Sequence, residues 1–480
     1  MTYPKSLVLP VSLSFPFLHL NLVRITIVNI KSLLLASLCG VWSLHNAIAA
    51  DPNAEPATAT APADAVAEPE AWNIHGQLTN TTQWHPAFHS PYRGQNSLDG
   101  SNRSTETTDV TLFAGVRLWS GAAVYLNPEF DQGFGFSRTW GVAGFPSGES
   151  YRVGSDVPHG RLHRLFLRQV FGLSDATQAV ASGANQLADN VPTDNVTLTV
   201  GKFSVVDIFD NNGYAHDPRA DFLNWSVLSA GAFDYAGDSW GYTYGAALEW
   251  TQDWWTLRGG YFDLVATPGV PKLNHLKRHE FVGEWEMRGQ LLNHPGKLKL
   301  LGFVNYGNMG DYTDAVRLAQ LTGAGTAPDT TQVRRIAANT GYSINIEQEL
   351  SAELGFFARA SRNNGNKESL DFTDINRSLT MGLSLKGDRW NRHDDTLGVA
   401  VVVNSLSSAA RAYFAAGGMG DIIGDGRLNY RPERIVETYY SWHIDKRLTL
   451  SADYQYIGNP GYNQDRGPAS IFGLRLHAEY

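Results

Sequence analysis

The sequence predicts an all-β protein, a transmembrane up-and-down antiparallel β-barrel of about sixteen strands with short periplasmic turns and long extracellular loops. Three observations carry that prediction. Apolar side chains recur with a period of two, tight turns alternate with long connections, and the last strand ends on an aromatic residue, Tyr480. Composition agrees: 11% aromatic residues is too many for a disordered chain, and 18% charged residues is too few for a long-helix protein. The formal charge is −9, and since Lys5, Arg24 and Lys31 are the only charged residues of the first fifty, everything beyond them carries −12. Nucleic acid is therefore not an expected partner.

From the N-terminus, Arg24 and Lys31 precede a mostly apolar run, Leu33 to Leu44, and the small-residue site Ala47-Ile48-Ala49 follows. That order predicts an export signal over residues 1–49. A membrane anchor is the competing reading, but the run is shorter than the ~20 residues a spanning helix needs. Cys39 is the only cysteine and lies inside this segment, so a chain cleaved after Ala49 has no disulfide. Residues 50–71 are almost wholly Ala, Pro, Glu, Asp and Thr, a composition that cannot bury a core and reads as a flexible lead-in. The barrel domain is expected over residues 72–480. Within it no apolar stretch is long enough for a spanning helix.

Trp240 to Trp250 shows the alternation. Trp240, Tyr242, Tyr244, Ala246, Leu248 and Trp250 share one parity, with small or polar residues on the other. Ten steps at ~3.3 Å, tilted by about 45°, rise about 23 Å, close to the ~25 Å apolar band of an outer-membrane barrel. Val110 to Leu118, Ala122 to Phe130, Phe281 to Gly289, Ser378 to Lys386 and Leu448 to Tyr456 repeat the pattern. Strands are expected to start near residues 72, 108, 121, 160, 195, 239, 254, 280, 297, 335, 349, 375, 395, 433, 447 and 470. Tight connections such as Ser120-Gly121 and Asp445-Lys446 alternate with long ones such as 85–107, 132–159, 207–238, 309–332 and 406–432. Residues 172–194 break the rule, being long where a tight turn belongs; a small periplasmic helix or a miscounted strand pair would account for them. In the final strand Phe472, Leu474, Leu476, Ala478 and Tyr480 alternate with Gly473, Arg475, His477 and Glu479. Such an ending looks like the signal read by the outer-membrane assembly machinery, and the expected surroundings are outer-membrane lipids.

Sixteen strands enclose more space than side chains can fill, so an aqueous channel is expected and function rests on what narrows it. Two places concentrate charge on the lumen parity. Arg164, Phe166 and Arg168 oppose Leu165 and Leu167, while the neighbouring run offers Asn127, Glu129 and Asp131. Guanidinium and carboxylate groups make paired hydrogen bonds to vicinal hydroxyls and an aromatic ring stacks on a sugar face, so this set suits sugar substrates. A salt-bridge ladder that stiffens the wall and binds nothing is the bland alternative. The second place is the loop Asp207 to Asp238, with Asp207, Asp210, Asp217, Arg219 and Trp225. A loop this long tends to be functional; folded inward it would form the constriction, and folded outward an extracellular cap. Gly133-Phe134-Gly135 lacks the context of a dinucleotide site, Asp421 to Asp425 lacks calcium-loop spacing, the histidines show no metal-ligand spacing, and no nucleophile elbow occurs. No catalytic residue, metal or cofactor is expected.

On these stretches the chain resembles the carbohydrate-selective outer-membrane porin family: NPEFDQGFG (Asn127 to Gly135), GVAGFPSGE (Gly141 to Glu149), RLHRLFLRQ (Arg161 to Gln169), VGKFSVVDIFDNN (Val200 to Asn212), YAHDPRADFLNW (Tyr214 to Trp225) and GAFDYAGDSWGYTYGAALEW (Gly231 to Trp250). The resemblance implies a sixteen-stranded channel with charged and aromatic groups at an eyelet, passing glucose and related sugars across the outer membrane of Gram-negative bacteria. Rival readings are a barrel enzyme acting on lipid, a barrel adhesin, and a soluble secreted carbohydrate-binding β protein. Oligomeric state is left open.

Overall fold

The computed structural model describes residues 68–150, 155–269, 272–273, 275–291, 293–371 and 373–480. The expected signal (1–49) and the lead-in up to residue 67 lie outside the described residues. Chain order gives β1 (Trp72–His85), β2 (Arg103–Trp119), β3 (Ala122–Gly133), β4 (Ser155–Gly172), β5 (Thr177–Val180), β6 (Asp189–Pro192), β7 (Asn195–Phe203), β8 (Thr243–Gln252), β9 (Trp255–Asp263), β10 (His279–Leu291), β11 (His294–Met309), β12 (Arg335–Ser351), β13 (Leu354–Asn363), β14 (Arg377–Gly387), β15 (Arg392–Ser405), β16 (Glu433–Asp445), β17 (Leu448–Gly458) and β18 (Ala469–Glu479). All but β5 and β6 pair antiparallel with their neighbours into one closed barrel, and β1 meets β18 at the seam. Closure leaves no unpaired edge, the condition for a sheet in hydrocarbon. Gly76 and Tyr480 exchange both backbone hydrogen bonds at 2.8 Å, which locks the aromatic terminus into that seam.

The period of two acts as predicted. On β2 Val110, Leu112, Val116 and Leu118 are exposed outward, and on β14 so are Leu379, Met381 and Leu383, whereas Glu129, Glu284, Thr380 and Gln455 are buried inside. An apolar outer face on a closed sheet is the pattern of a barrel set in hydrocarbon. The parity fails at one end of β8. That strand begins at Thr243, and Trp240 and Tyr242 fold inward instead of joining the outer aromatic rim. The cause is a turn: Asp238 caps the Trp240 and Tyr242 amides at 2.9 and 3.3 Å, and Gly241 takes φ 84°, where only glycine is unstrained.

Residues 172–194 contain neither a helix nor a barrel strand pair. They form the separate hairpin β5–β6, seated in the short-turn mouth of the barrel. Arg168 Nη1 donates to the Asn185 carbonyl at 2.9 Å, Asn127 Nδ2 to Asn185 Oδ1 at 2.8 Å, and Arg117 pairs with Asp189 at 2.6 Å. The end of the lead-in joins it, since Glu70 and Ala188 exchange bonds of 2.9 and 2.8 Å.

At the opposite rim several long connections turn into the barrel and pack against one another. Their apolar residues, among them Phe145, Phe209, Phe233, Tyr312, Phe414 and Tyr462, form a buried cluster inside the cylinder. The loop Asp207 to Asp238 therefore takes the inward of its two expected placements, and other long connections join it, so that the interior holds a core made of loops. Two short helices, Tyr312–Thr322 and Ser408–Ala415, belong to it.

Candidate functional site: an arginine ladder and the loop that faces it

The local geometry starts at Pro128. Proline has no N–H for the ladder, so it is tolerated in a sheet chiefly at irregularities, and the β3–β4 pairing shifts there: Asn127 faces Arg164 but Pro128 faces Leu162, leaving His163 as an extra residue. The bulge reverses parity along β4. Leu162 consequently points out, while Arg161, three residues before Arg164, comes to the same side as Glu129. Three arginines of β4 each lie over an aromatic face: Arg161 over Trp240 at 3.3 Å, Arg164 over Tyr242 at 5.0 Å, and Arg168 over Tyr125 and Phe166 at 5.3 Å. His163 stacks on Tyr242 with ring centroids 4.2 Å apart.

Carboxylates answer this row. Arg164 grips Asp207 with two bonds of 2.7 and 2.6 Å. Burial alone raises the Asp207 carboxyl, but the guanidinium outweighs it and holds the group below its ordinary range. Arg219 reaches Asp109 at 3.1 Å, Glu129 at 3.3 Å and Glu149 at 3.3 Å, and so ties the long loop to β2, β3 and the preceding connection. His163 Nε2 lies 3.5 Å from Glu129 and 3.3 Å from Asp131. Glu129, Asp131 and His163 are thus close enough for their oxygens and ring nitrogen to hold a cation. The histidine spacing in the sequence hid this group because the bulge, not the numbering, assembles it.

The loop between β7 and β8, residues 204–242, crosses the barrel interior and is held by the inner wall from many directions. Arg359 of β13 donates to the carbonyls of Val227 and Ala215 at 2.8 Å and Asp210 at 3.0 Å, and to the Asp210 carboxylate at 3.3 Å. Arg475 of β18 donates to the carbonyls of Pro218, Ala220 and Asp221. Glu437 accepts from the Leu223 and Asn224 amides, Glu284 from Asp210 and Glu280 from Ala236. Polar backbone that leaves water must be satisfied, and here the wall does it. Many inward charges therefore serve as anchors for the loop.

Of the residues singled out from sequence, Arg164, Asp207, Asp217 and Arg219 keep partial exposure, and Asn127, Glu129 and Asp131 line the wall behind them fully buried. Phe166 is buried beside Arg168, with its ring against Tyr125 and Phe203. Two leave the set. Trp225 stacks on Phe145 at 4.9 Å inside the loop core, and Asp210 is the buried partner of Arg359; neither presents a face to a passing molecule. Sequence reasoning missed Asp109, Glu149, Arg161, His163, Trp240 and Tyr242. A second charged patch, Arg258 with Glu249, Glu284 and Glu286 at 2.7–2.9 Å, lines β8–β10.

Comparison with known proteins fits this architecture. The family model described as carbohydrate-selective porin, OprB family, matches residues 95–480. Porin AaxA of Chlamydia abortus is 20% identical over 297 residues, 60% of this chain and 54% of that protein, and Porin AaxA of Chlamydia caviae is 22% identical over the same length. The chain thus spans about half the length of those relatives. The high-pH structure of Pseudomonas putida OprB superposes with a TM-score of 0.65 at 15% identity, covering 85% of this chain and 94% of that one. A closed sixteen-strand barrel with lipid-facing outer rows, matched by that family over most of its length, places this chain in the carbohydrate-selective porins of the OprB family, in the outer membrane.

Proposed function

We propose that the protein is a channel for passive, selective diffusion of carbohydrates across the outer membrane, with no reaction catalysed and no cofactor. The observation that supports this reading is the arginine row of β4 laid over Trp240 and Tyr242 and opposed by Asp207 and the carboxylates around Arg219. Donors, acceptors and ring faces within a few ångströms of one another match a pyranose, which offers hydroxyls on its rim and C–H groups on its faces. A selective pore needs such contacts to be weak and repeated, so that a sugar enters readily and still leaves. Glucose and related monosaccharides are the substrates this lining fits.

The test is conductance in a planar bilayer, with potassium chloride as carrier and glucose titrated from either side. Glucose should reduce the current of the wild type, and Arg164→Ala should weaken that block several-fold while salt still passes. Salt current indifferent to every sugar would overturn the carbohydrate reading. Block unchanged in the variant would overturn the site.

A further inference from the structure

The outer wall carries one arrangement that neither the channel nor the loop anchors use. Arg362 of β13 and Arg377 of β14 are directly opposite in the strand register, both on the outward parity and both exposed. Arg434 of β16 is exposed on the same face, and its partner in register is Val403, two residues before the Ser405 that pairs with Arg377. Among the described residues none of the three guanidinium groups makes an ion pair or a side-chain hydrogen bond. The nearby acids do not serve them: Glu433 and Glu437 are wholly inside, capping loop amides, and Asp374 is buried on the Ile422 and Ile423 amides. Lys202, by contrast, also on an outward position, is matched by Asp238 at 3.4 Å. Like charges directly opposite on a sheet repel, so the Arg362–Arg377 pair costs stability in the isolated protein.

Their height on the wall says what would relieve it. Below Arg377 come Leu379, Met381, Leu383 and Leu385, and below Arg434 the outward row runs from Val436 to Trp442 and Ile444. Eight residues of tilted strand rise about 20 Å. The arginines therefore stand at the long-loop end of the apolar band, level with the headgroups of the outer leaflet, and Tyr342, paired with Arg362, stands beside them as an interfacial aromatic. We propose that this arginine triad is a binding site for the phosphate groups of a phosphorylated glycolipid of the outer leaflet. Guanidinium forks bind phosphate oxygens in pairs, and one phosphate between Arg362 and Arg377 turns a repulsive pair into two attractive contacts.

The test uses the full chain in detergent micelles, with bisphosphorylated lipid A, the same lipid dephosphorylated, and inorganic phosphate as separate probes. Native mass spectrometry should show bisphosphorylated lipid A retained by the wild type, with an affinity roughly tenfold or more above that of the dephosphorylated form. The Arg362→Ala/Arg377→Ala/Arg434→Ala variant should lose that preference. Arg377→Ala alone should melt at a higher temperature than the wild type without lipid, since the repulsion is gone, yet gain less on lipid addition; it keeps the proposal testable if the triple variant does not fold. Equal retention of the two lipids, retention by the triple variant, or equal protection by millimolar inorganic phosphate overturns the site as a lipid site.

Discussion

Replacing Arg359 by methionine should release the loop 204–242 from the barrel wall. The side chain is almost wholly buried and makes four hydrogen bonds to three separated points of that loop, Asp210, Ala215 and Val227. Summed at 1.5–3 kcal/mol for each bond from a charged group, these would give about 6–12 kcal/mol. That overshoots, because the guanidinium gave up its hydration to make them, and removal of one partner from a buried ion pair typically costs about 3–5 kcal/mol. The lower end applies, since Asp210 keeps the Ala230 amide at 2.6 Å and the Asn345 amide group at 3.1 Å. About 3 kcal/mol is roughly a hundredfold rise in the population of the released loop. Hydrogen exchange at the Ala230 and Leu223 amides should accelerate by that factor while strand amides of β13 do not change, and single-channel conductance should become larger and noisier. Acceleration under about threefold with unaltered conductance would show that the loop is not held from this side and would refute the anchoring argument. Asp210→Asn combined with Arg359→Met should cost less than the two changes summed.

The loop should also respond to pH. Burial, and then the nearby Asp217, push the Asp221 carboxyl up to about 6, so its stabilising contribution is complete below the unfolded value near 4 and is lost as pH rises through about 6. Limited proteolysis of the loop should be slower at pH 5 than at pH 7.5, by a difference of about 1–2 kcal/mol, and Asp221→Asn should flatten that dependence. Replacing residues 175–192 by a two-residue Asn-Gly turn removes the hairpin from the short-turn mouth; conductance should rise with β content by circular dichroism unchanged, and an identical conductance would place the hairpin outside the ion path. Met381→Arg puts a charge on the outer wall near mid-membrane and should cost about 2–4 kcal/mol of unfolding free energy in lipid vesicles. A cost near zero would mean that this face meets water or protein.

The wall was legible in the sequence because each of its residues faces one of only two environments. A lipid row and an inner row impose a period of two, and every strand start expected from Trp72 onward lies within about five residues of the observed one. The errors sit where the period is interrupted. Gly241 turns Trp240 and Tyr242 inward, and Pro128 forces the bulge that brings Arg161 and His163 to the inner face; both interruptions involve residues whose identity hinted at trouble but not at its direction. The interior was much less legible. Arg219 meeting Asp109, or Arg475 meeting Pro218, joins segments more than a hundred residues apart, and nothing in local composition distinguishes an arginine that greets a sugar from one that holds a carbonyl. Trp225 illustrates the point, since a tryptophan in an inward loop reads as a stacking platform until Phe145 and Tyr235 are found on it.

The grip of Arg475 on Pro218, Ala220 and Asp221 also ties the loop to the closure of the wall. That arginine belongs to β18, which docks on β1 to shut the cylinder, so this one of the loop's several anchors is supplied by the closing strand itself. One strand thus does two jobs: its backbone completes the cylinder, and its arginine fastens the segment that crosses the interior.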